Sequence, residues 1–507
     1  AAGLLVAALL VAPNLPAREP APRASNSAHA DALPALPPGE VWLAHALRDL
    51  APYWSSADAL GEPIGHFPTF RYADGAPLRA DAPLRADYRW IPEHANWIGD
   101  RLDRSYTRML SRQAYTLAIA YHLGGDGRHL AAAKAAVDRI LGPLNDAPGT
   151  FCSWIARGAC QPAPDQRTAQ DVAYALLGPA AYAYVTRDPA VIDAIVAAQR
   201  AFFDRYRDPD TGLMRWVLAP LEDGSDRHAP DQRELVAQLD PINAFMLLLE
   251  PIVPAAEAAR WRADLVGLTG DLVTHFHSAD HGVFWGRIDD PALRALGKHH
   301  HTDVGHTAKA YWMLALVARV AGGDADWAQL ARDGGLRLLD AIAQDATDGW
   351  VGGSWKGGWD EEGTPGGEAP WWAHAEVDQL ALTLAVDDPR AAAHLPKATT
   401  FWFTHFVDHR HGGVWPSPQD PADPTPSLKA HLWKNGYHAM EHALVGLILS
   451  NALRGEPVTL HFAPAIGADP GALRPYYFDG EPMIVRRVPL GHVDGRERLE
   501  VRFNRIR

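Results

Sequence analysis

Cysteine is nearly absent from this chain, which has only two among its 507 residues. The pair, Cys152 and Cys160, lies in the segment FCSWIARGAC. The two thiols could close a small loop if the protein is exported, and would stay reduced in a cytoplasmic protein. Zinc sites are usually built from four cysteine and histidine ligands, so two cysteines are a weak zinc signal.

Blocks of positive charge and long apolar runs are also missing. No run of lysine or arginine interrupts a formal net charge of -14, which gives nucleic-acid binding little electrostatic support. The N-terminal stretch AAGLLVAALLVAPNLPA has too few consecutive apolar residues to span a bilayer. It resembles the apolar region of a signal peptide, with Ala-His-Ala at 28–30 as a candidate cleavage site. We therefore expect an exported protein, periplasmic or secreted, with no membrane span after cleavage.

Tryptophan and histidine are abundant, with 18 and 24 copies. Most tryptophans are expected in the core, but the indole ring also suits stacking against the flat apolar face of a sugar.

From about residue 40 to 455, apolar residues recur at three- and four-residue spacing in about twelve segments, several of which open with Asp-Pro, Thr or Asp. Short linkers such as GGDGR at 124–128 alternate with long linkers rich in Gly, Trp and acid, at 277–290, 348–368 and 408–420. Long loops of this kind line functional sites more often than they merely connect. The pattern predicts an all-α (α/α)6 barrel of six hairpins. An irregular α-solenoid is the structural alternative, but no fixed repeat period is visible.

The two ends of the chain differ from this helical middle. Residues 1–38 are rich in Ala and Pro and are expected to be disordered after a signal-peptide-like start. After 455, the runs VTLHFAP, PYYFDG, PMIVRRVPLG and RLEVRFNRI read as short strands. We therefore divide the chain into 1–38, a barrel at 39–455 and a β-rich extension at 456–507.

Six motifs along the helical region resemble, in family order, those of the N-acylglucosamine 2-epimerase superfamily, which includes sugar 2-epimerases and mannose isomerases on an (α/α)6 barrel. They are SRQAY at 111–115, NAFMLLLE at 243–250, HGVFWGRID at 281–289, VGHTAKAYW at 304–312, PWWAHAE at 370–376 and WKNGYHAMEHAL at 433–444.

The resemblance implies proton transfer at C2 of a sugar through an enediolate, with His306 and His438 as the acid/base pair and no metal or redox cofactor. Such chemistry needs two groups with pKa values near neutrality on opposite sides of C2, together with donors near the developing oxyanion. Arg112 would hold sugar oxygens, Glu376 would bond a hydroxyl, and one of two tryptophans would provide a stacking surface. The substrate-binding candidates are Arg112, Asn243, Lys309, Trp371, Trp372, Glu376 and Tyr437.

The helix around His306 also permits a prediction from its local sequence. Thr302 or Asp303 can cap the helix, so His306 lies in its first turn, where the helix dipole disfavours an imidazolium. Lys309 lies one turn later on the same face, and its charge would lower the pKa of His306 further. We expect Lys309 to contact a carboxylate, either Glu376 or Glu441.

Three positions depart from the family motifs. Leu247 stands where the family has its first catalytic histidine, Lys309 replaces a carboxylate, and Glu441 replaces an arginine. These changes put the reaction, rather than the fold, in question.

Other functions therefore stay open. A glycoside hydrolase needs two carboxylates roughly 5–10 Å apart, for which Asp360, Glu362 and Glu376 are the candidates. A polysaccharide lyase would use His438, Tyr437 and Arg112, and a barrel that only binds sugar would need none of these. The run HHH at 299–301 suggests a metal, but adjacent side chains in an extended loop point in different directions, so we predict no metal site. The sequence leaves the oligomeric state open.

Overall fold

A computed structural model of the chain describes residues 35–223, 226–320, 322, 324–343, 354–422 and 424–507. The predicted signal peptide and its cleavage site lie outside these residues, so export stays a prediction. Residues 348–353 of one long predicted loop also lie outside them. The division into a barrel and a C-terminal extension likewise stays a prediction.

Six helices form an inner ring whose residues are buried on nearly every side. Their sequences are apolar all round rather than along one stripe, as a helix enclosed by other helices requires. The inner helices are α1 (Thr107–Gly124), α2 (Ala169–Thr186), α3 (Leu235–Pro241, continued by a π-helical turn at Ile242–Met246 and by Leu247–Leu249), α4 (Val304–Val320), α5 (Trp371–Ala385) and α6 (Tyr437–Arg454).

An outer helix precedes each inner helix and buries one apolar stripe against the ring, which confirms the predicted barrel of six hairpins. Asp126 and Asp188 cap two of these helices by accepting hydrogen bonds from backbone N–H groups. Within the described residues, no helix is both long and apolar enough to cross a membrane. The outer helices are Gly39–Ala44 (continued by His45–Leu50 and Ala51–Ser55), Gly127–Leu141, Pro189–Tyr206, Ala255–Asp271 (continued by Leu272–Phe276), Ala325–Ile342 and Leu395–Phe401 (continued by Trp402–Phe406).

The connections are asymmetric, as predicted. The links from an inner helix to the next outer helix are mostly short, whereas those from an outer to an inner helix are long and carry small antiparallel ladders. The long loops therefore gather at the end of the barrel where the inner helices begin. Their strands are β1 (Arg104–Tyr106), β2 (Trp154–Ala156), β3 (Ala159–Gln161), β4 (Leu221–Asp223), β5 (Asp226–His228), β6 (His277–Ser278), β7 (Val283–Phe284), β8 (Lys356–Trp359) and β9 (Pro365–Glu368). The long loops also contain the short helices Ala57–Leu60, Ala86–Tyr88, Ile91–His94, Asn96–Gly99, Pro164–Gln166 and Pro291–Leu293, and a further short helix, Pro389–Ala392, lies in the link that follows α5.

Both cysteines lie in one of these loops, next to the β2–β3 hairpin, and both are free. Cys152 is buried, and its Sγ donates to the carbonyl of Trp154 at 3.2 Å.

A three-stranded antiparallel sheet follows the barrel, in the order β10 (Val458–Phe462), β12 (Glu497–Asn504), β11 (Glu481–Pro489). Alternate residues of β10 and β12 are buried, as expected for a sheet with one face on the core. The sheet lies against the end of α1, where the Tyr121 hydroxyl donates to the carbonyl of Phe462 at 3.0 Å. It therefore covers the end of the barrel opposite the long loops.

The prediction of a strand at PYYFDG is wrong. These residues form no strand, because Tyr476 and Tyr477 turn inward and fill the barrel from its sheet-covered end. The Tyr476 hydroxyl lies 2.8 Å from that of Tyr115 on α1 and donates to Glu441 Oε1 on α6 at 2.5 Å. The Tyr477 hydroxyl donates to the carbonyl of Asn243 on α3 at 3.0 Å. The C-terminal segment thus completes the barrel core.

Close packing between the first outer helix and α6 predicts a sensitive position at Gly446. A Cβ added there would lie 2.4 Å from the Trp42 ring, which is buried and cannot withdraw. We expect Gly446→Ala to lower the free energy of unfolding by about 1–3 kcal/mol, measured by denaturant titration. Gly358→Ala is the control, since no atom lies within 4 Å of its added Cβ. Equal stability of the two variants would contradict this account of the packing.

Candidate active site

A cavity of about 520 Å³ opens at the end of the barrel where the inner helices begin. The first turns of α1, α2, α4, α5 and α6 contribute to its wall, and the long loops build its rim. Among the predicted site residues, those that line the cavity are Arg112, His306, Lys309, Trp371, Trp372 and His438.

His306 is fixed by Asp303, three residues before it. Asp303 Oδ1 accepts the backbone N–H of His306 at 2.8 Å, which caps α4, and Oδ2 lies 2.5 Å from Nδ1 of the ring. A carboxylate can only accept, so Nδ1 carries a proton and donates. Nε2 has no hydrogen-bond partner among the described residues and is left for the cavity.

The predicted direction of the His306 pKa is wrong. Burial alone would lower the pKa, but the charge of Asp303 and its hydrogen bond outweigh burial, and the pKa is raised above the ordinary 6.5. The charge of Lys309 acts in the expected direction but is a smaller effect. The surroundings of His306 therefore favour the imidazolium over the neutral ring.

His438 is also held by a carboxylate, with the opposite result. Its Nδ1 lies 3.0 Å from Glu376 Oε1, while Glu376 Oε2 accepts the indole N–H of Trp312 at 2.8 Å. Burial lowers the pKa of His438 to about 4, with smaller contributions from the charges of Arg112 and Lys309, and these exceed the opposing effect of Glu376. His438 is neutral near pH 7, and its Nε2 also has no partner in the described part of the chain.

Trp372 packs against both imidazoles. Its ring centroid is 4.8 Å from that of His306 and 5.9 Å from that of His438. The indole therefore provides a flat apolar surface beside both rings. Trp371 also lines the cavity, with Lys434 Nζ 4.6 Å from its ring centroid.

Lys309 is neutralised by Asp240, a residue that sequence reasoning missed. Nζ donates to Asp240 Oδ1 at 2.8 Å, rather than contacting Glu376 or Glu441, and both partners are buried. Burial would lower the pKa of Lys309, but the charge of Asp240 outweighs it and raises the pKa. Tyr174 also donates to Asp240 Oδ1, at 3.1 Å. Lys309 is thus a fixed cation with no proton to release near neutrality.

Arg112 is a buried cation in the cavity wall, and no described carboxylate forms an ion pair with it. Its guanidinium carbon lies 3.8 Å from the centroid of the Tyr174 ring, and Nε has no hydrogen-bond partner. A guanidinium with unused donors in a cavity wall suits an oxygen-rich ligand.

Cross-helix bonds run around the barrel at the floor of the cavity. Since burying an unpaired charge is costly, most ionised side chains of the inner helices pair with a neighbouring helix. The bonds join Arg108 of α1 to Asp171 of α2, Tyr174 of α2 to Asp240 of α3, Asp240 to Lys309 of α4, Trp312 of α4 to Glu376 of α5, and Glu376 to His438 of α6.

Three predicted residues lie beneath the cavity and do not line it. Glu376 is fully buried and engaged by His438 and Trp312. The Asn243 amide donates to the Tyr437 hydroxyl at 2.5 Å, and both residues are fully buried. They support the cavity from below, and a direct role in substrate binding stays a prediction.

Glu441 also lies in this buried layer. Burial, together with the charge of Glu376, raises the pKa of Glu441 to about 8, so that it is neutral near pH 7. Leu247, where the family has a histidine, is a buried core residue away from the cavity wall.

The carboxylates proposed for a hydrolase are not brought together. Neither Asp360 nor Glu362 lines the cavity, and Glu376 lies below it. The acids that do line the cavity are each engaged. Asp171 pairs with Arg108, Asp223 with Arg104, and Asp303 with His306.

The side chains of residues 299–301 do not diverge as expected. The three imidazoles lie close together, with one nitrogen each of His299, His300 and His301 within 4.8 Å of the others. His299 and His301 both contact Glu234.

The family model of N-acylglucosamine 2-epimerase (GlcNAc 2-epimerase) matches residues 98–442, more than half of the chain. The chain belongs to this family. Membership confirms the predicted resemblance and the prediction of an enzyme of the sugar epimerase and isomerase class. A comparison with curated protein sequences gives no match.

Solved structures show the same fold at low sequence identity. Cellobiose 2-epimerase from Spirochaeta thermophila DSM 6192 has a TM-score of 0.63 at 19% identity, over 82% of this chain and 97% of that chain. A D-mannose isomerase has a TM-score of 0.62 at 13% identity, over 81% and 97%. Unsaturated glucuronyl hydrolase of Bacillus sp. GL1 is more distant, with a TM-score of 0.50 at 15% identity, over 84% and 97%.

The buried Lys309–Asp240 pair predicts a strong coupling energy. Lys309→Met leaves an uncompensated buried carboxylate, and we expect a loss of about 3–5 kcal/mol in the free energy of unfolding. Adding Asp240→Asn removes that charge and is expected to recover much of the loss, measured by denaturant unfolding of both variants. If the double variant is no more stable than Lys309→Met, the pair does not carry this energy.

Proposed function

We propose that this enzyme epimerises or isomerises a sugar by proton transfer at C2, with His438 as base and His306 as acid. The observation that carries the proposal is the pair of imidazoles that pack against Trp372, each held by a carboxylate at Nδ1 with Nε2 left for the cavity. Environments that separate the pKa values of two such groups are typical of an acid/base pair.

The reaction divides between the two rings. His438 Nε2 takes the proton from C2 of the open-chain aldose, and the electron pair moves into a cis-enediolate. The imidazolium of His306 returns a proton to C2 from the other face in an epimerisation, or to C1 in an aldose–ketose isomerisation, in which the O2 proton also moves to O1. Each route leaves one proton on His438 and none on His306, and exchange with water resets the pair.

Positive charge near O1 and O2 would stabilise the enediolate. Arg112 has donors that no described carboxylate engages, so it can follow the growth of negative charge on the sugar oxygens. Lys309 contributes a fixed charge but is already bonded to Asp240.

The alternative functions have less support. The described residues that line the cavity include no unengaged pair of carboxylates such as a hydrolase would need. A lyase could use His438 and Arg112, but the Tyr437 hydroxyl is turned away and bonded to Asn243. A barrel that only binds sugar would not need two imidazoles with opposed pKa shifts.

The first experiment is NMR of sugars incubated with the protein in D2O. The panel includes glucose, mannose, fructose, cellobiose and N-acetylhexosamines, since epimerases and isomerases share this fold. We expect deuterium at C2 of at least one sugar, with the rate reduced about 10²–10⁴-fold in His438→Asn and in His306→Asn.

His394→Asn is the histidine control, because this ring bonds Asp340 on an outer helix, away from the cavity. Its exchange rate should equal that of the wild type. Absence of exchange across the whole panel, with folded protein, would reject the proposal.

The pH dependence of kcat/KM gives an independent test. Activity should fall below the His438 pKa of about 4, where the base becomes protonated, and should fall again above the raised pKa of His306, where the acid loses its proton. Asp303→Asn removes the carboxylate that contributes most to raising the His306 pKa. The alkaline limb should therefore move to lower pH while the acid limb stays in place.

Asp171→Asn is the matched control, since this carboxylate also lines the cavity but pairs with Arg108. An alkaline limb that does not move in Asp303→Asn would show that His306 is not the acid.

A further inference from the structure

A third imidazole lines the same cavity in the same manner, and the proposed reaction does not use it. His301 Nδ1 lies 3.0 Å from Glu234 Oε2, and its ring centroid is 5.1 Å from that of His306. Its Nε2 has no hydrogen-bond partner among the residues described. The side chain is 16% exposed, compared with 13% for His306, so it reaches the cavity to a similar extent.

The loop that carries His301 is built to hold this ring. Glu234 stands directly before α3, is nearly fully buried, and lies 3.6 Å from His299 Nε2 as well. His299 Nδ1 in turn accepts the backbone N–H of His301 at 3.3 Å. Since Glu234 Oε2 accepts, His301 carries its proton on Nδ1 and presents a lone pair on Nε2.

Sugars that form rings must open before C2 can lose a proton, because the acidity of that proton depends on a carbonyl at C1. Opening moves the O1 proton to O5, and a base at O1 speeds this transfer. The base has to act at C1, next to the carbon on which His306 and His438 act. His301, which contacts His306, lies in the right place.

We propose that His301 is a catalytic residue that opens the sugar ring, and that Glu234 is its positioning residue. This assignment rests on the proposed function. His301 Nε2 takes the O1 proton as the C1–O5 bond breaks and C1=O1 forms. The electron pair of that bond leaves on O5, which takes a proton from a cavity water, and the resulting hydroxide takes the proton of His301. One proton has moved from O1 to O5, and nothing is oxidised or reduced.

The protonation of the neighbouring groups agrees with a base at this position. Burial and the charge of His306 hold the pKa of His301 well below its ordinary value, so the ring is neutral at the pH where His306 is protonated. Burial, the largest effect, also lowers the pKa of His300, to about 4, but His300 is exposed at the rim, and the structure gives it no carboxylate contact.

Mutarotation separates this step from the chemistry at C2. A pure anomer of the sugar that exchanges deuterium is added to the enzyme, and its interconversion is followed by polarimetry. We expect the wild type to accelerate mutarotation, His301→Asn to lose about a hundredfold of that acceleration, and His438→Asn to retain it while losing C2 exchange. His394→Asn is the control, since its ring bonds Asp340 away from the cavity, and it should keep the acceleration.

Four results would overturn the proposal. They are full acceleration in His301→Asn, equal loss in His394→Asn, C2 exchange by a wild type that does not accelerate mutarotation, and loss of acceleration on adding a chelator, which would indicate a metal on the three histidines. If His301→Asn does not fold, Glu234→Gln replaces it, and a weaker acceptor at Nδ1 should slow mutarotation and shift its pH profile. A wild type that shows no C2 exchange with any sugar would reject the proposed function, which is a separate outcome.

Discussion

The exclusion of water from the inner ring is the constraint on which the rest of this structure depends. A charge placed there is costly unless it is paired, and for most of these charges the partner comes from an adjacent helix. The bonds from Arg108 around to His438 satisfy that requirement helix by helix. They also fix the side chains that face the cavity, so the stability of the barrel and the geometry of the candidate site have the same cause.

His306 and His438 show that the same kind of hydrogen-bond partner need not shift the pKa of two imidazoles in the same direction. Both bond a carboxylate through Nδ1, yet the pKa of His306 is raised and that of His438 is lowered, with burial the largest effect in each. The difference lies in the surroundings. Asp240 adds negative charge near His306 and Arg112 adds positive charge near His438, while Lys309 lowers the pKa of both rings. The residues that flank the pair therefore help to separate the two pKa values.

Much of the fold could be predicted because the contacts within a helix join residues only three or four positions apart in the sequence. Apolar spacing gave the twelve helices, and alternating loop lengths gave the barrel and the end at which its site lies. Family motifs located His306, His438 and Trp372. Asp240 could not be found in this way, because its pairing with Lys309 joins residues far apart in the chain. The predicted direction of the His306 pKa shift was wrong for a related reason. Asp303 was expected only to cap the helix backbone, but it also bonds the ring. PYYFDG has the composition of a strand, and only the space inside the barrel explains why its tyrosines turn inward.

The C-terminal tyrosines have a consequence for the order in which the protein is made. Glu441 and Tyr115 receive a core partner from Tyr476, which leaves the ribosome after every barrel helix. Helical hairpins can pair as they emerge, but the axis of the barrel stays unfilled until the segment that carries Tyr476 has also emerged. The final closure of the core therefore waits for residues that follow every barrel helix, and a chain cut short before Tyr476 would carry all of its candidate catalytic residues around an unfinished interior.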